Sequence, residues 1–349
     1  MSVTVRSFAK INLGLCIGAR REDGFHDLRT VYQTIALHDI VRVEVGRGSG
    51  IEIRCADPRV PTDASNTCYR IVERAMAALK TRGRVIIEIE KRLPVQGGLG
   101  AASGNAVAAL LALERALKKR LPFAEKLRIA AEVGSDLPLF LIGGTVLGVG
   151  RGEEVYPLPD LPSVPCVVAL PKVAVSTPQA FAEWDATVEL RSTRQTRASA
   201  PTHKTRTAED DRPYPSVAKL TQSAPSDRMA EFSRRVAAWL AASSGVPALG
   251  RGRAETPLLD LVQTGIENDF EQVVFPRYPA LREIKSVLQR AGAFYASLSG
   301  SGSALYGLFR TRPAALKAVS ALHKTGTDAV VTTTLNRRQY GRKFLVSVL

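Results

Sequence analysis

Apolar and polar residues alternate along the first twenty positions, as they do in a β-strand with a buried face. In "VTVRSFAKINLGLCIG", Ile11, Leu13, Leu15 and Ile17 fall on one face, and Lys10 falls on the other face with the residues between them. "DIVRVEVG", "GIEIRCA" and "GRVIIEIEKR" predict three further strands in the same half of the chain. The apolar spacing of "NTCYRIVERAMAALKT" instead predicts a helix.

After Ser103 the apolar period changes to three or four residues. Ala106, Leu110, Leu113 and Leu117 form one stripe, and the predicted helix ends at "KKR" and a proline. We expect residues 1–153 to form one domain and residues 154–349 a second, in which "SVPCVVALPKVAV" is a buried strand. Strands and helices are mixed without a steady alternation, so the pattern predicts an α+β fold.

A polar segment interrupts the second domain. Residues 189–226 begin "ELRSTRQTRASAPTHKTRTAEDDRPYPS" and contain few large apolar residues, a composition that predicts a disordered insert. "DRMAEFSRRVAAWLAAS", at its end, predicts an amphipathic helix. Order is expected to return by Asn268, ahead of the helix "PALREIKSVLQRAG" and a Gly/Ser loop in "FYASLSGSGSALYGLFR".

The chain of 349 residues carries a formal net charge of +15, which fits a nucleic acid, a polyanionic small substrate or simply a basic surface. The insert does not account for this net charge, because residues 189–219 hold seven Lys/Arg against four Asp/Glu. There is no RNA-binding signature, and aromatic residues make up 6% of the chain. Binding of nucleic acid is therefore a minor alternative.

Four cysteines and four histidines are dispersed along the chain without a C-x-x-C pair. This spacing predicts reduced thiols and no metal site built from these side chains. No apolar run approaches the length of a membrane span, and the first residues lack the pattern of a signal peptide. We expect a cytoplasmic protein without a membrane partner.

The stretch "LPVQGGLGAASGNAVAALLAL" places glycines and other small residues at the start of the helix that follows Ser103. Unpaired N–H groups at a helix N-terminus can hold phosphate, although a tight strand-to-helix turn would use the same residues. No P-loop string occurs. "GLGAAS" approaches a dinucleotide fingerprint, but the acidic residue that should follow about twenty positions later is missing.

Five motifs occur in order: "SFAKINLGL", "GFHDLRTVYQ", "LPVQGGLGAASGNA", "GSDLPLFLIGGT" and "LSGSGSALYGLF". Together they resemble the GHMP family of small-molecule kinases, whose phosphate loop P-x-x-x-G-L-G-x-x-S matches Pro94 to Ser103. The resemblance covers residues 6–185 and 265–310. It implies a two-domain α+β fold with the active site in the interdomain cleft, and ATP with Mg²⁺ as the cofactors.

Within this family the motifs are typical of the members that phosphorylate the 2-hydroxyl of 4-diphosphocytidyl-2-C-methyl-D-erythritol, in the non-mevalonate pathway of isoprenoid synthesis. The resemblance makes Asp136 the acceptor of the hydroxyl proton and Lys10 the cation that holds that carboxylate and the hydroxyl. Without the resemblance, the simpler interpretation is that Lys10 is a solvated lysine on a strand and that Asp136 caps a helix or a turn.

The resemblance also assigns the two ligand sites. Phe25 and Phe181 are expected to sandwich the cytosine ring, with His26 reading it and with Asn12 and Thr177 nearby. Phe25 stands where the family usually has tyrosine. The ATP site is expected to comprise Asn66, Pro94, Val95, Gln96, Gly97, Gly98, Leu99, Gly100, Ala101, Ala102, Ser103 and Gly104.

The ATP loop departs from the family pattern in small ways. Gln96, Ala101 and Ala102 replace glycines, and Gly104 replaces a second serine, while the Ser103 hydroxyl is expected near Mg²⁺. Another GHMP kinase, acting on mevalonate or homoserine, is the main alternative. "GFHDL" argues against it, because a pair that grips a base has no use without a nucleobase in the acceptor. We expect a monomer or a weak homodimer.

Overall fold

The computed structural model describes residues 1–95, 97–198, 225–243, 260–262 and 264–346. A six-stranded sheet contains β1 (Ser2–Arg20), β2 (His26–Gly46), β3 (Gly50–Cys55), β4 (Arg84–Glu90), β5 (Thr145–Val149) and β6 (Glu154–Pro157). The strand order is β3-β4-β2-β5-β6, and β1 pairs with β2 on its other edge. β3 and β4 are parallel, and the other pairs are antiparallel.

Four helices complete the first domain: α1 (Thr67–Ala78), α2 (Ala101–Leu117), α3 (Phe123–Val133) and α4 (Leu137–Ile142). α2 lies at the centre of this layer and packs on β1, β2, α1 and α4. Its predicted apolar stripe is largely buried in the core, where Leu110 joins Val43, Ile87 and Ile129. This packing fixes the N-terminus of α2 at one edge of the domain.

The second domain is built on a four-stranded antiparallel sheet of order β10-β7-β9-β8. Its strands are β7 (Pro165–Leu170), β8 (Tyr295–Leu298), β9 (Leu305–Leu308) and β10 (Asp328–Thr333). Its helices are α5 (Thr177–Ala198), α6 (Pro225–Ser243), α7 (Glu271–Arg277), α8 (Pro279–Arg290), α9 (Arg312–Lys324) and α10 (Arg337–Phe344). The predicted two-domain α+β class is confirmed.

The two domains share strand β1. Ile11 and Leu13 belong to a core cluster that also contains Tyr306 of β9, whereas Ile17 packs in a cluster with Phe270. The opposite face of β1 is buried as well, since Lys10 and Asn12 are 4% and 1% exposed. The alternation correctly predicted the apolar face, and the polar face is covered by elements distant in sequence.

The boundary expected at residues 153 and 154 falls inside a β-hairpin. β6 pairs antiparallel with β5, so the first sheet extends to Pro157. The turn between them contains Gly150 and Gly152 at positive φ, a conformation that glycine adopts without strain. The C-terminal helix α10 also packs on β1 of the first domain.

The segment predicted as a disordered insert, residues 189–226, begins inside a helix. α5 continues through Ala198, because a nucleated helix gains one backbone hydrogen bond for each added residue. Residues 199–224 of that segment lie outside the described residues. The amphipathic helix predicted at its end is present as α6, which buries Met229, Phe232, Val236 and Trp239 against the core.

Candidate active site

Lys10 and Asp136 form an ion pair, with 3.3 Å between Lys10 Nζ and Asp136 Oδ2. The lysine side chain is 4% exposed and the carboxylate 33% exposed, so the pair has one buried and one accessible member. Lys10 Nζ also donates to Asn12 Oδ1 at 2.7 Å. The lysine that could have been a solvated strand residue is instead a buried cation with fixed partners.

Asp136 occupies the residue before α4, where a helix cap would stand. Its side chain makes no capping hydrogen bond to that helix. Instead, Tyr32 Oη donates to Asp136 Oδ1 at 3.0 Å. Burial and the negative charge of Asp136 raise the pKa of Tyr32 well above its ordinary value, so the phenol keeps its proton and remains a donor. The capping role considered for Asp136 is therefore wrong.

The position of Asn12 is set by a short chain of hydrogen bonds across the β1–β2 hairpin. Asn12 Nδ2 donates to Thr30 Oγ1 at 2.8 Å, and Thr30 Oγ1 donates to the Gly14 carbonyl at 2.7 Å. Both side chains are buried. The amide oxygen of Asn12 thus points at the Lys10 ammonium without rotational freedom.

The glycine loop reaches α2 through Gly100, the residue before the helix, which has a φ of +68°. No side chain caps this N-terminus, so the first N–H groups of α2 are available to a ligand. Lys10 N donates to Leu99 O at 2.9 Å, which ties the loop to β1. Gln96, expected in the same loop, lies outside the described residues.

A second glycine loop, residues 299–303, packs directly on the first. A Cβ placed on Gly98 would lie 2.1 Å from the Ser299 carbonyl oxygen, and one on Gly302 would lie 2.4 Å from Gly98 N. Ser299 Oγ donates to Gly98 O at 3.0 Å, and Ala304 N donates to Gly97 O at 3.1 Å. The two domains therefore meet backbone to backbone at the first glycine loop.

A cavity of about 340 Å³ opens beside this loop. Its lining comprises Arg59, Val60, Pro61, Ser65, Asn66, Thr67, Cys68, Ile89, Lys91, Pro94, Val95, Gly97, Gly98, Leu99, Gly100, Ala101, Ala102, Ser103 and Asn105. Of the described residues expected at the ATP site, Gly104 is not in this lining. Gly104 has a backbone role, because a Cβ there would lie 2.8 Å from Phe8 O.

Asn66 lines the cavity, although its amide is already engaged. Asn66 Oδ1 accepts a hydrogen bond from Cys68 N and caps α1, and Nδ2 donates to Pro61 O. The Asn66 side chain therefore serves as a helix cap, and its contact with adenine stays a prediction.

Asp39 anchors the entrance to the glycine loop, a role that no sequence pattern indicates. The fully buried carboxylate accepts hydrogen bonds from Arg92 N, Leu93 N and Asn105 Nδ2 at 2.7, 2.8 and 3.0 Å, and it pairs with Lys91. These bonds join the end of β4 to α2 on either side of the loop. Tyr32 and Ser299 were missed as well, although both lie within quoted motifs.

The aromatic residues expected to hold the cytosine ring are arranged differently. The His26 ring stacks on Phe181, with 4.9 Å between the centroids and 14° between the planes. Phe25 is 52% exposed and lies against the Arg151 guanidinium. The neighbouring imidazole, and not the Phe25 ring, therefore stacks on Phe181 in this structure, and a cytosine ring held between Phe25 and Phe181 stays a prediction. Thr177 bonds to Ser301 at 2.7 Å, beside the second glycine loop.

Comparison with known proteins gives two matching family models. "GHMP kinases N terminal domain" matches residues 66–144, and "GHMP kinases C terminal" matches residues 248–328. A 4-diphosphocytidyl-2-C-methyl-D-erythritol kinase of Solibacter usitatus is 34% identical over 336 residues, which cover 96% of this chain and 90% of that protein. The chain belongs to this kinase family. A second member, from Acaryochloris marina, is 34% identical over 88% of this chain and 87% of its own.

Solved structures of GHMP kinases share the fold. A 4-(cytidine 5'-diphospho)-2C-methyl-D-erythritol kinase is 27% identical with a TM-score of 0.65, covering 96% of this chain and 99% of its own. A homoserine kinase from Cytophaga hutchinsonii has the same TM-score at 20% identity, covering 96% and 95%. The fold alone does not distinguish the two activities, and it is the sequence relatives that are named 4-diphosphocytidyl-2-C-methyl-D-erythritol kinases.

Among the described residues, no helix is both long and apolar enough to cross a membrane. No group of three or more His, Cys, Asp or Glu side chains among them is placed to hold a metal ion. The four cysteines are free thiols, and burial raises the pKa of Cys16 and of Cys68 to about 12.

Proposed function

We propose that this protein transfers the γ-phosphate of ATP to the 2-hydroxyl of 4-diphosphocytidyl-2-C-methyl-D-erythritol, in the non-mevalonate pathway. The observation that carries this proposal is the ion pair between Lys10 and Asp136, in which Lys10 lies on a strand hydrogen-bonded to the glycine loop. The kinase relatives that match nearly the whole chain support the choice of substrates.

ATP fits the cavity beside α2. The uncapped N–H groups at the start of α2 and its positive dipole end suit the phosphates, and Gly98 and Gly100 leave no side chain in their path. Asn66 and Thr67 line the end of the cavity near α1, where the adenine would bind.

Mg²⁺ is the expected companion of the phosphates, and the donor set near the loop suits it. Mg²⁺ commonly keeps several waters and takes few protein ligands, so the Ser103 hydroxyl together with phosphate oxygens would hold it. When bound, it neutralises charge on the phosphate oxygens. Ser103 lines the cavity at the first turn of α2.

Asp136 and Lys10 act on the acceptor hydroxyl. Asp136 receives the hydroxyl proton as the oxygen attacks the γ-phosphorus, and Tyr32 and Lys10 hold the carboxylate in place through its two oxygens. Lys10 also offsets the negative charge that develops on the transferred group. Phosphoryl transfer depends mostly on positioning and electrostatics, so no covalent intermediate is required.

The acceptor base would bind at the His26–Phe181 pair, with Phe25, Asn12 and Thr177 lining its approach. Thr177 bonds to the loop that contacts Gly98, which connects the base site with the phosphate site. The protein would act in the cytoplasm without binding nucleic acid. It would be a monomer or a weak homodimer, and light scattering of the purified protein measures this oligomeric state.

A coupled assay of ADP release tests the function. ADP should form rapidly when the diphosphocytidyl methylerythritol acceptor is added and hardly at all without it. Mevalonate and homoserine serve as matched acceptors for the alternative activities. Faster ADP release with either of them than with the cytidine acceptor would contradict the proposal.

A further inference from the structure

A hydrogen bond joins His26 to Asp185 and gives the imidazole a fixed orientation. His26 Nε2 lies 2.7 Å from Asp185 Oδ1, and the ring is 6% exposed. Phe181 and Asp185 are four residues apart on α5, so they face the same side of the helix. Phe181 stacks on the face of the imidazole, and Asp185 forms a hydrogen bond at its edge.

This bond determines where the histidine carries its proton. An ionised carboxylate can only accept, so Nε2 must carry a hydrogen. In the neutral ring Nδ1 is then a hydrogen-bond acceptor. Nδ1 has no hydrogen-bond partner within the part of the chain that the structure describes, and it is not among the completely buried unpaired atoms there. A ligand can therefore donate to it.

We infer that Asp185 is a positioning residue that makes the acceptor site select cytosine over uracil. Asp185 holds His26 with the proton on Nε2, so that Nδ1 accepts from the exocyclic amino group of cytosine. Uracil carries a carbonyl oxygen at the same position, and two acceptors would face each other. The inference rests on the proposed function, because it concerns the base of that acceptor.

The Asp185→Asn variant tests this selection. An amide can donate to Nε2, which permits the alternative tautomer with the proton on Nδ1. The ratio of kcat/KM for the cytidine acceptor over its uridine analogue should fall about tenfold or more. The change should appear in the acceptor KM and leave the ATP KM unaltered. Asp185→Glu keeps an accepting carboxylate and should restore part of the preference.

Glu183→Gln is the matched control. It removes an acidic group from the same helix, where Glu183 pairs with Arg277 at 2.8 Å, away from His26. The base preference should stay at its wild-type value in this variant. An unchanged preference in a folded Asp185→Asn protein would overturn the inference, as would an equal loss in the Glu183→Gln control.

Nitrogen NMR of the wild-type protein gives a second, independent measurement. The chain contains four histidines, so a ¹⁵N-histidine label gives few signals, and His26→Gln identifies the one of interest. A protonated Nε2 and an unprotonated Nδ1 are expected at neutral pH. An imidazolium or the opposite tautomer would overturn the inference even if the variants failed to fold. Absent turnover of the cytidine acceptor by wild type would instead contradict the proposed function.

Discussion

At the residue scale, the site depends on a lysine held almost entirely out of water. Lys10 is 4% exposed, and burial of a charge is costly unless partners satisfy it. Here Asn12 and Asp136 do so, and the Tyr32 ring lies 5.6 Å below the ammonium. Removing any one partner disturbs the others, so substitutions in this group should not act independently.

Replacing Asp136 by Asn should lower kcat about 10²- to 10⁴-fold, because the amide cannot accept the hydroxyl proton. ATP affinity should change little, since Asp136 does not line the nucleotide cavity. Single-turnover phosphoryl transfer and binding of a fluorescent ATP analogue measure the two effects. Turnover within tenfold of wild type would exclude this aspartate as the base.

The Tyr32→Phe variant removes the hydrogen bond to Asp136 while keeping the ring beneath Lys10. We expect kcat to fall about tenfold, the usual effect of one hydrogen bond to a charged group. In the Asp136→Asn background the same change should cost much less. Tyr340→Phe is the control, since Tyr340 Oη donates to Phe140 O and should affect stability without changing kcat.

The sequence identified Lys10 and Asp136 through the resemblance, and the structure brings them together. Tyr32 lies in a quoted motif, but its role depends on a partner 104 residues away, which no local pattern reveals. The role of Asp39 also depends on distant partners, since Lys91, the first of them along the chain, lies 52 residues later. His26, and not Phe25, stacks on Phe181. This choice depends on side-chain packing, which the spacing of residues in the sequence does not predict.

At the scale of elements, the phosphate site depends on two loops whose backbones touch. Periodicity predicted β1 and α2, and the small residues at the start of that helix predicted either a phosphate site or a tight turn. The structure adds a close backbone approach at this point. The partner of that approach, the loop at residues 299–303, could not be predicted, because a strand order such as β10-β7-β9-β8 arises from tertiary packing.

Gly98→Ala should greatly weaken ATP binding and turnover. Its φ is +78°, and the added methyl group would lie 2.1 Å from Ser299 O, so the two loops must separate. Gly326→Ala is the matched control, with a φ of +75° and no atom within 4 Å of the added carbon. It should cost about 1 kcal/mol of stability from backbone strain alone and leave the ATP KM unchanged. Isothermal calorimetry measures ATP binding by the two variants, and steady-state kinetics measures their turnover. Equal effects of the two substitutions would contradict a contact between the two loops at Gly98.

At the scale of the whole molecule, buried thiols and phenols should lower the free energy of unfolding as the pH becomes alkaline. Burial raises the pKa of Cys16 and of Cys68 from 9.0 to about 12, and it raises the pKa of Tyr295 and Tyr306 above 10. Because the folded pKa exceeds the unfolded value, the unfolded chain loses these protons first as pH rises. The unfolded state is therefore favoured progressively above pH 9.

The free energy of unfolding should thus fall above pH 9, by about 1.4 kcal/mol per pH unit for each buried thiol up to its folded pKa. Urea titrations between pH 7 and 11 measure it. Cys68→Ala should reduce the slope, because it removes one of the buried thiols. A flat profile to pH 11 would show that these groups are accessible to solvent.

Strand β1 pairs with residues near the opposite end of the chain, and this affects how the protein can be made. Val5 bridges to Leu345, and Phe8 packs in one cluster with Leu335 and Tyr340. At about 5–20 residues per second, a ribosome releases that part of the chain roughly 20–70 s after β1. During synthesis the apolar surface around Phe8 stays uncovered until Leu335 and Tyr340 have been made, so these much later residues protect the nascent strand from aggregation.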